Sequence, residues 1–168
     1  MFDIKLNEYG LPYPEIIGSA IHPIIVHFVI ATVIASVLFD FIGYFGRKPS
    51  FHNVGWYNLV VACAAVIGAI IFGQIEAGLA HQSNAMQPVL AWHTIIGWSL
   101  GALILIMAAW RGVARYRDPN RLNPAYLGLS LLVVGTVFYQ VFLGTQLVWT
   151  YGIHVKPVVE ATTARTQP

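Results

Sequence analysis

Charged residues are scarce in this sequence: Asp, Glu, Lys and Arg make up 10% of its 168 residues, whereas 57% are hydrophobic. An ordinary soluble domain has about a quarter charged residues, so the deficit excludes a typical soluble fold and indicates a membrane protein. The single cysteine, Cys63, excludes an intramolecular disulfide. The formal net charge of +2 is too small to indicate nucleic-acid binding, so we expect no nucleic-acid partner.

The usual catalytic motifs are also missing from the sequence. It has no glycine-rich phosphate loop, no cysteine pair for zinc, no His-Glu-x-x-His motif and no serine-centred nucleophile elbow. These absences leave no visible machinery for hydrolysis, so the sequence disfavours a stand-alone enzyme.

Four apolar runs are each long enough for a membrane-spanning helix, which needs about 20 residues. Because the loops between them are short, neighbouring helices should be antiparallel. We therefore predict an all-α integral membrane protein with four transmembrane helices in an up-down-up-down bundle. The predicted parts are a polar arm (1–20), a membrane domain (21–155) with helices over 21–45, 54–80, 89–110 and 125–151, and a C-terminal tail (156–168).

Basic residues are concentrated at one end of the predicted bundle. We name this the arginine end, and the opposite end, which holds both termini, the terminal end. The loop over residues 81–88, at the terminal end, has no Lys or Arg. By the positive-inside rule the arginine end is cytoplasmic and both termini lie on the non-cytoplasmic side. The basic residues at the arginine end are Arg47, Lys48, Arg111, Arg115, Arg117 and Arg121.

Two histidines lie at nearly the same predicted depth near the terminal end. His27 and His93 follow the prolines that open helices one and three, Pro23 and Pro88, so each lies about 6 to 8 Å inside its helix. Helices one and three are diagonal partners, roughly 14 Å apart if adjacent helices pack at 8 to 10 Å. That diagonal is too wide for one small ion but suits two histidines that bind a haem iron between them.

Small residues follow both histidines at helical spacing and would leave room for a haem. His22 and His27 cannot both face one spot, because five residues turn a helix through about 140°. We therefore predict that His27 and His93 hold a b-type haem. The small residues are Gly97 and Gly101 after His93, and Ala31 and Ala35 after His27.

Other polar groups lie within the predicted spans. A ligating histidine usually donates its second N–H to an acceptor, which Glu76, Gln146 or a backbone carbonyl could supply. Asp40, near the arginine end of helix one, is expected to snorkel to the interface or to accept N–H bonds.

Two alternatives to haem binding remain open from the sequence alone. A copper, zinc or iron ion could bind to His22, His81 and His93, with Met86 nearby. Alternatively, the histidines could only form hydrogen bonds between helices, as in a non-catalytic structural accessory subunit of a membrane complex.

The segment His22-Pro23-x-x-Val26-His27-Phe28, followed by Leu38-Phe39-Asp40, resembles the bacterial membrane-protein family catalogued as domain of unknown function 2231. Some members of that family are joined to Rieske-type iron–sulfur domains, and relatives are associated with respiratory chains. The resemblance therefore implies a redox or haem role rather than transport. We predict an electron-transfer protein of a prokaryotic plasma or thylakoid membrane, with a quinone or a respiratory or photosynthetic complex as partner. Further similarities are Gly73-x-x-Glu76, His93 and Leu143-Gly144-x-x-Leu147-Val148-x-x-x-Gly152.

Overall fold

The computed structural model of the protein describes residues 13–80 and 82–155, with side chains from Ile21 onward. This part of the chain forms four α-helices and no strand, and each helix is long and apolar enough to cross a membrane. The predicted all-α membrane fold is confirmed. The predicted tail and residues 1–12 of the predicted arm lie outside the described residues. The helices are α1 (Tyr13–Phe45), α2 (Pro49–Leu79), α3 (Gln87–Arg117) and α4 (Pro124–Trp149).

The four helices form a square bundle in chain order. α1 packs against α2 and α4, and α3 packs against the same two helices. The α1–α2 interface is the most extensive, the α3–α4 interface is next, and the α1–α4 interface is the smallest. Side chains on the inner faces of α1 and α3 are therefore the ones that can meet across the diagonal.

The bundle is apolar both inside and outside, as expected of helices surrounded by lipid. Outward-facing aromatic residues such as Phe28, Trp98 and Phe142 are more than half exposed. Such an apolar surface would be unfavourable in water, so these side chains contact the bilayer. The core is built mainly from Val29, Val33, Leu59, Ala62, Val66, Leu100, Ile104, Met107, Val133 and Val137.

α1 begins well before its predicted start at residue 21. Pro14 occupies the first turn of the helix, and Pro23 lies inside it. A proline inside a membrane helix is tolerated where neighbouring groups satisfy the freed backbone carbonyl. The prediction that Pro23 opens the helix was therefore wrong, and His22 lies well inside α1 rather than at its end.

Two helices extend further at the arginine end than the sequence indicated. α2 begins at Pro49 rather than at residue 54, and α3 continues to Arg117 rather than ending at residue 110. Arg111 and Gly112 do not end α3, because the Arg111 side chain is buried and paired inside the bundle. Only short loops remain between the helices at this end.

Candidate functional site

Two histidines from diagonal helices face each other near the terminal end. The ring centroids of His22 on α1 and His93 on α3 are 6.5 Å apart, and the ring planes are almost perpendicular, at 82°. Both side chains are half-buried. We name His22 and His93 the histidine pair. His22, and not His27 as predicted, is therefore the residue of α1 that faces His93.

His27 lies on the outer surface of α1. Its side chain is exposed, and its Nδ1 donates to the Pro23 carbonyl of the same helix at 2.5 Å. Ala31, one turn further along, is exposed on the same surface. The prediction that His27 faces inward beside Ala31 was therefore wrong.

The register of α1 explains this reversal. Val29 and Val33 are buried in the core, and seven residues, close to two helical turns, separate His22 from Val29. His22 therefore shares the inner face with the core valines, whereas His27 is rotated away from it. The helical spacing between His22 and these valines was visible in the sequence. It was not used because the start of the helix was predicted too late in the chain.

The His22 ring is held by a backbone carbonyl of α2. Its Nδ1 is 2.8 Å from the carbonyl oxygen of Ala69. A carbonyl oxygen can only accept, so Nδ1 carries the hydrogen and the neutral ring keeps a lone pair on Nε2. Of the three acceptors expected from the sequence, the backbone carbonyl is the one used.

The hydrogen-bonding groups around His93, the second member of the histidine pair, are not all satisfied. The buried Nδ1 of His93 has no hydrogen-bond partner among the described residues. Gln140 on α4 donates through Nε2 to the His93 carbonyl at 2.9 Å, and its buried Oε1 has no partner among the same residues. Buried polar atoms without a partner are rare, so these atoms indicate a place where a ligand, ion or water could bind.

Glycines on α2 and α4 allow both helices to approach the histidine pair. A Cβ atom at Gly73 would lie 2.9 Å from Cε1 of His22, and one at Gly144 would lie 3.3 Å from Cε1 of His93. A methyl group at Gly73 would displace the His22 ring, and one at Gly144 would be in tight contact with the His93 ring. Through them α2 and α4 help to position the rings carried by α1 and α3.

The glycines predicted to make room for a haem have other neighbours. Gly97 lies beside the Gln140 side chain, with its added Cβ only 3.1 Å from Nε2, and thus adjoins the site. Gly101 is buried against Ile70 and Val66 of α2. It therefore acts in helix packing, as small residues do in many membrane bundles.

Glu76 pairs with a residue beyond the end of α4. Gly152 and His154 both have positive φ angles, 64° and 60°, and the chain turns there. The turn places Nε2 of His154 3.4 Å from Oε1 of Glu76. Burial lowers the pKa of the His154 ring, and its interaction with the backbone of Glu76 opposes this shift only partly. Glu76 thus contacts His154 and is not the acceptor for His22. Gln146 is half-buried, and its side chain has no hydrogen bond within the described part of the chain.

The three-histidine metal site cannot be assembled from the described residues. His81 lies outside them, and Met86 is buried at the start of α3. Within residues 21–80 and 82–155, no group of three His, Cys, Asp or Glu side chains is arranged to hold a metal ion.

A second buried polar cluster, at the arginine end, was missed by sequence reasoning. Asp40 is fully buried and forms a double ion pair with Arg111, which is only 4% exposed. Arg111 also donates to the His52 carbonyl at 2.7 Å and to the Tyr126 hydroxyl at 3.3 Å. Of the two expectations for Asp40, snorkelling was wrong, whereas acceptance of N–H bonds is confirmed, because the Arg111 guanidinium on the diagonal helix reaches it. The sequence did place an acidic residue, Asp40, and a basic residue, Arg111, at the same end of two spans, and this could have indicated the ion pair.

Comparison with known proteins bears on the whole bundle. The family model described as "Predicted membrane protein (DUF2231)" matches residues 18–157, which include nearly all of the four helices and both polar clusters. No curated protein and no solved structure matches the chain. The family match agrees with the resemblance carried by the motif around His22 and with the four-helix architecture. The chain therefore belongs to the membrane-protein family DUF2231.

Proposed function

We propose that this protein is a membrane-embedded electron-transfer protein that holds a b-type haem between His22 and His93. The observation that carries the proposal is the meeting of two imidazoles from diagonal helices, with ring centroids 6.5 Å apart. The sequence predicted the same chemistry for His27 and His93. The proposal replaces His27 because its ring lies on the lipid-facing surface.

The spacing of the two rings suits one metal ion between them. A metal–imidazole bond is about 2 Å long, and a ring centre lies about 1 Å beyond its nitrogen, so two such bonds place the ring centres about 6 Å apart. Two protein ligands are also the number that a haem iron needs. Structural zinc sites usually take four.

The hydrogen bonding of His22 favours a ligand role. A metal-binding histidine almost always donates its other N–H to a carboxylate, a carbonyl or water, which fixes the ring and its tautomer. His22 makes this bond to the Ala69 carbonyl, and its Nε2 is left with the lone pair that a metal requires. His93 contributes a ring whose Nδ1 has no partner among the described residues.

A haem bound here would supply one-electron redox chemistry. His22 and His93 would hold the group, and the residues around them would orient the two imidazoles, exclude water and set the potential through burial and hydrogen bonding. With both termini on the non-cytoplasmic side, the site would lie near that surface of a prokaryotic plasma or thylakoid membrane. Its electron partner would then be a quinone or a neighbouring respiratory or photosynthetic complex.

The absorption spectrum of protein produced with haem available tests the proposal. We expect a Soret band that is lost in His22→Ala and in His93→Ala, whereas His27→Ala, the matched control on the same helix, retains it. Elemental analysis for iron, copper and zinc separates haem from a bare ion. A colourless, folded protein contradicts the proposal, and so does a spectrum that depends on His27 but not on His22.

A structural role is the second candidate, and a specific observation favours it. The site already joins helices through two hydrogen bonds, from His22 to the Ala69 carbonyl and from Gln140 to the His93 carbonyl. Bonds of this kind fasten membrane helices with no cofactor present. An accessory subunit would co-purify with a larger complex whose spectrum is unchanged by His22→Ala.

A further inference from the structure

A pocket opens at the arginine end, between the last turns of α3, the following loop and the start of α4. It is separate from the histidine pair, which lies at the opposite end of the bundle. The side chains that matter for its chemistry are His52, Trp110, Arg111, Arg115, Arg121 and Tyr126.

The pocket carries uncompensated positive charge. Asp40 neutralises Arg111 from inside the bundle. Arg115 and Arg121 form no ion pair within the described residues, and no acidic side chain lines the pocket. Arg115 lies over the Trp56 ring, 5.9 Å from its centroid, a contact that leaves its charge without an acidic partner. Both guanidinium groups can therefore attract an anion.

Buried hydrogen-bonding groups line the same pocket. Tyr126 is 2% exposed, and its hydroxyl accepts from Arg111 but donates to no acceptor among the described residues. His52 is 5% exposed, and its Nδ1 forms no hydrogen bond among those residues but lies 3.9 Å from Oδ1 of Asp40, so it faces the ion pair rather than an anion in the pocket. A buried hydroxyl with an unused hydrogen, beside two arginines that form no ion pair within the described residues, favours an acceptor-rich anion such as a phosphate group.

The surroundings of the pocket favour a lipid as the source of that phosphate. Trp110 packs edge-on against Tyr126, with centroids 5.9 Å apart, and is 37% exposed beside the pocket. Val113, on the next turn of α3, is 59% exposed and gives an acyl chain an apolar surface. Tryptophan is typical of the depth at which phospholipid headgroups meet the hydrocarbon region.

We propose that this pocket binds the phosphate group of an anionic phospholipid. Arg115 and Arg121 donate to the phosphate oxygens, the Tyr126 hydroxyl donates from the floor of the pocket, and Trp110 flanks the lipid at the interface. Arginine suits this role because its planar fork matches phosphate geometry, and basic pockets beside membrane helices are known sites for anionic headgroups. Arg111 forms the floor and keeps its bonds to Asp40.

Lipid binding to the full chain in neutral detergent tests the proposal. Dioctanoyl phosphatidylglycerol is the probe, dioctanoyl phosphatidylcholine the neutral comparison and inorganic phosphate the soluble one, each titrated while bound lipid is counted by native mass spectrometry. We expect saturable phosphatidylglycerol binding that Arg115→Gln and Arg121→Gln each weaken by about tenfold or more, the loss of one charge-assisted contact. Arg117→Gln, which removes an exposed arginine outside the pocket, is the matched control.

Two results of these titrations would overturn the proposed lipid site. Weakening no greater than that of Arg117→Gln overturns the proposal, because general attraction to the basic end would explain it. Inorganic phosphate binding as tightly as phosphatidylglycerol also overturns it, because the occupant would then be a soluble anion. Arg121→Lys, which keeps the charge and loses the fork, should bind more weakly than the original protein and more tightly than Arg121→Gln. A melting curve in phosphatidylcholine verifies that each variant is folded.

Discussion

His22 and His93 meet across the diagonal of the bundle, with ring centroids 6.5 Å apart. Each ring also lies against a glycine of a flanking helix, Gly73 for His22 and Gly144 for His93. Two helices therefore supply the imidazoles, and the other two supply the space that the rings occupy. Such an arrangement requires all four helices to be correctly packed before the rings can face each other.

Alanine at either of these glycines should destabilise the protein. The new methyl group would lie 2.9 Å from the His22 ring or 3.3 Å from the His93 ring, and overpacking of this kind costs about 1 to 3 kcal/mol. Gly78→Ala and Gly135→Ala are matched controls on the same two helices, because a Cβ at either meets no atom within 4 Å. The controls should be neutral or gain up to about 1 kcal/mol of helix stability. Unfolding in mixed detergent and SDS measures these differences, and equal effects at all four positions would contradict the close contacts.

Removal of one charge from the Asp40–Arg111 pair should be costly. Asp40→Asn or Arg111→Gln leaves the other charge buried without its partner, which costs about 3 to 5 kcal/mol. Both groups are almost fully buried, at 0% and 4% exposure, so water offers little compensation. The double variant should recover much of the loss, and Arg117→Gln should change little. A double-mutant cycle gives the coupling energy, and additive single effects would contradict a direct pair.

Stability should fall on acidification through the titration of His154. Burial lowers the pKa of this ring from 6.5 in the folded protein, so the unfolded chain binds more protons between that lowered pKa and pH 6.5. The contribution of His154 to the free energy of unfolding is complete above pH 6.5. It is lost as the pH falls toward the pKa of the ring in the folded protein. Glu76 is the ionisable group that contacts the ring. The decrease in the free energy of unfolding between pH 8 and pH 5 should be smaller in His154→Gln than in the original protein. An equal decrease would contradict the prediction.

The charge distribution predicts the orientation in the membrane. The positive-inside rule predicts that the arginine end is cytoplasmic, so a cysteine at residue 84 should lie outside and one at residue 47 should lie inside. In a Cys63→Ser background, Asn84→Cys should react with a membrane-impermeant maleimide on intact cells, and Arg47→Cys only after lysis. Both positions are exposed, so burial does not limit the reaction. The opposite pattern of labelling would reverse the orientation.

The number of spans and their order could be read from the sequence, because apolar length and loop length are local properties. The rotation of α1 was missed because it depends on where the helix begins. Pro14 and Pro23 both suit a first turn, and the choice of Pro23 placed His22 at a helix end and made His27 look inward. The Asp40–Arg111 contact joins residues 71 positions apart, and no local pattern predicts which arginine reaches a given carboxylate. The sequence identified His93 as an inward-facing residue, but its partner became visible only once the register was known.

The unequal helix interfaces described above have a consequence for assembly. α1 with α2 and α3 with α4 are the two largest contacts, so the molecule consists of two helical hairpins that meet along weaker seams. His22 belongs to the first hairpin and His93 to the second, and neither hairpin alone has both imidazoles. The two imidazoles can therefore face each other only when the two hairpins are packed together.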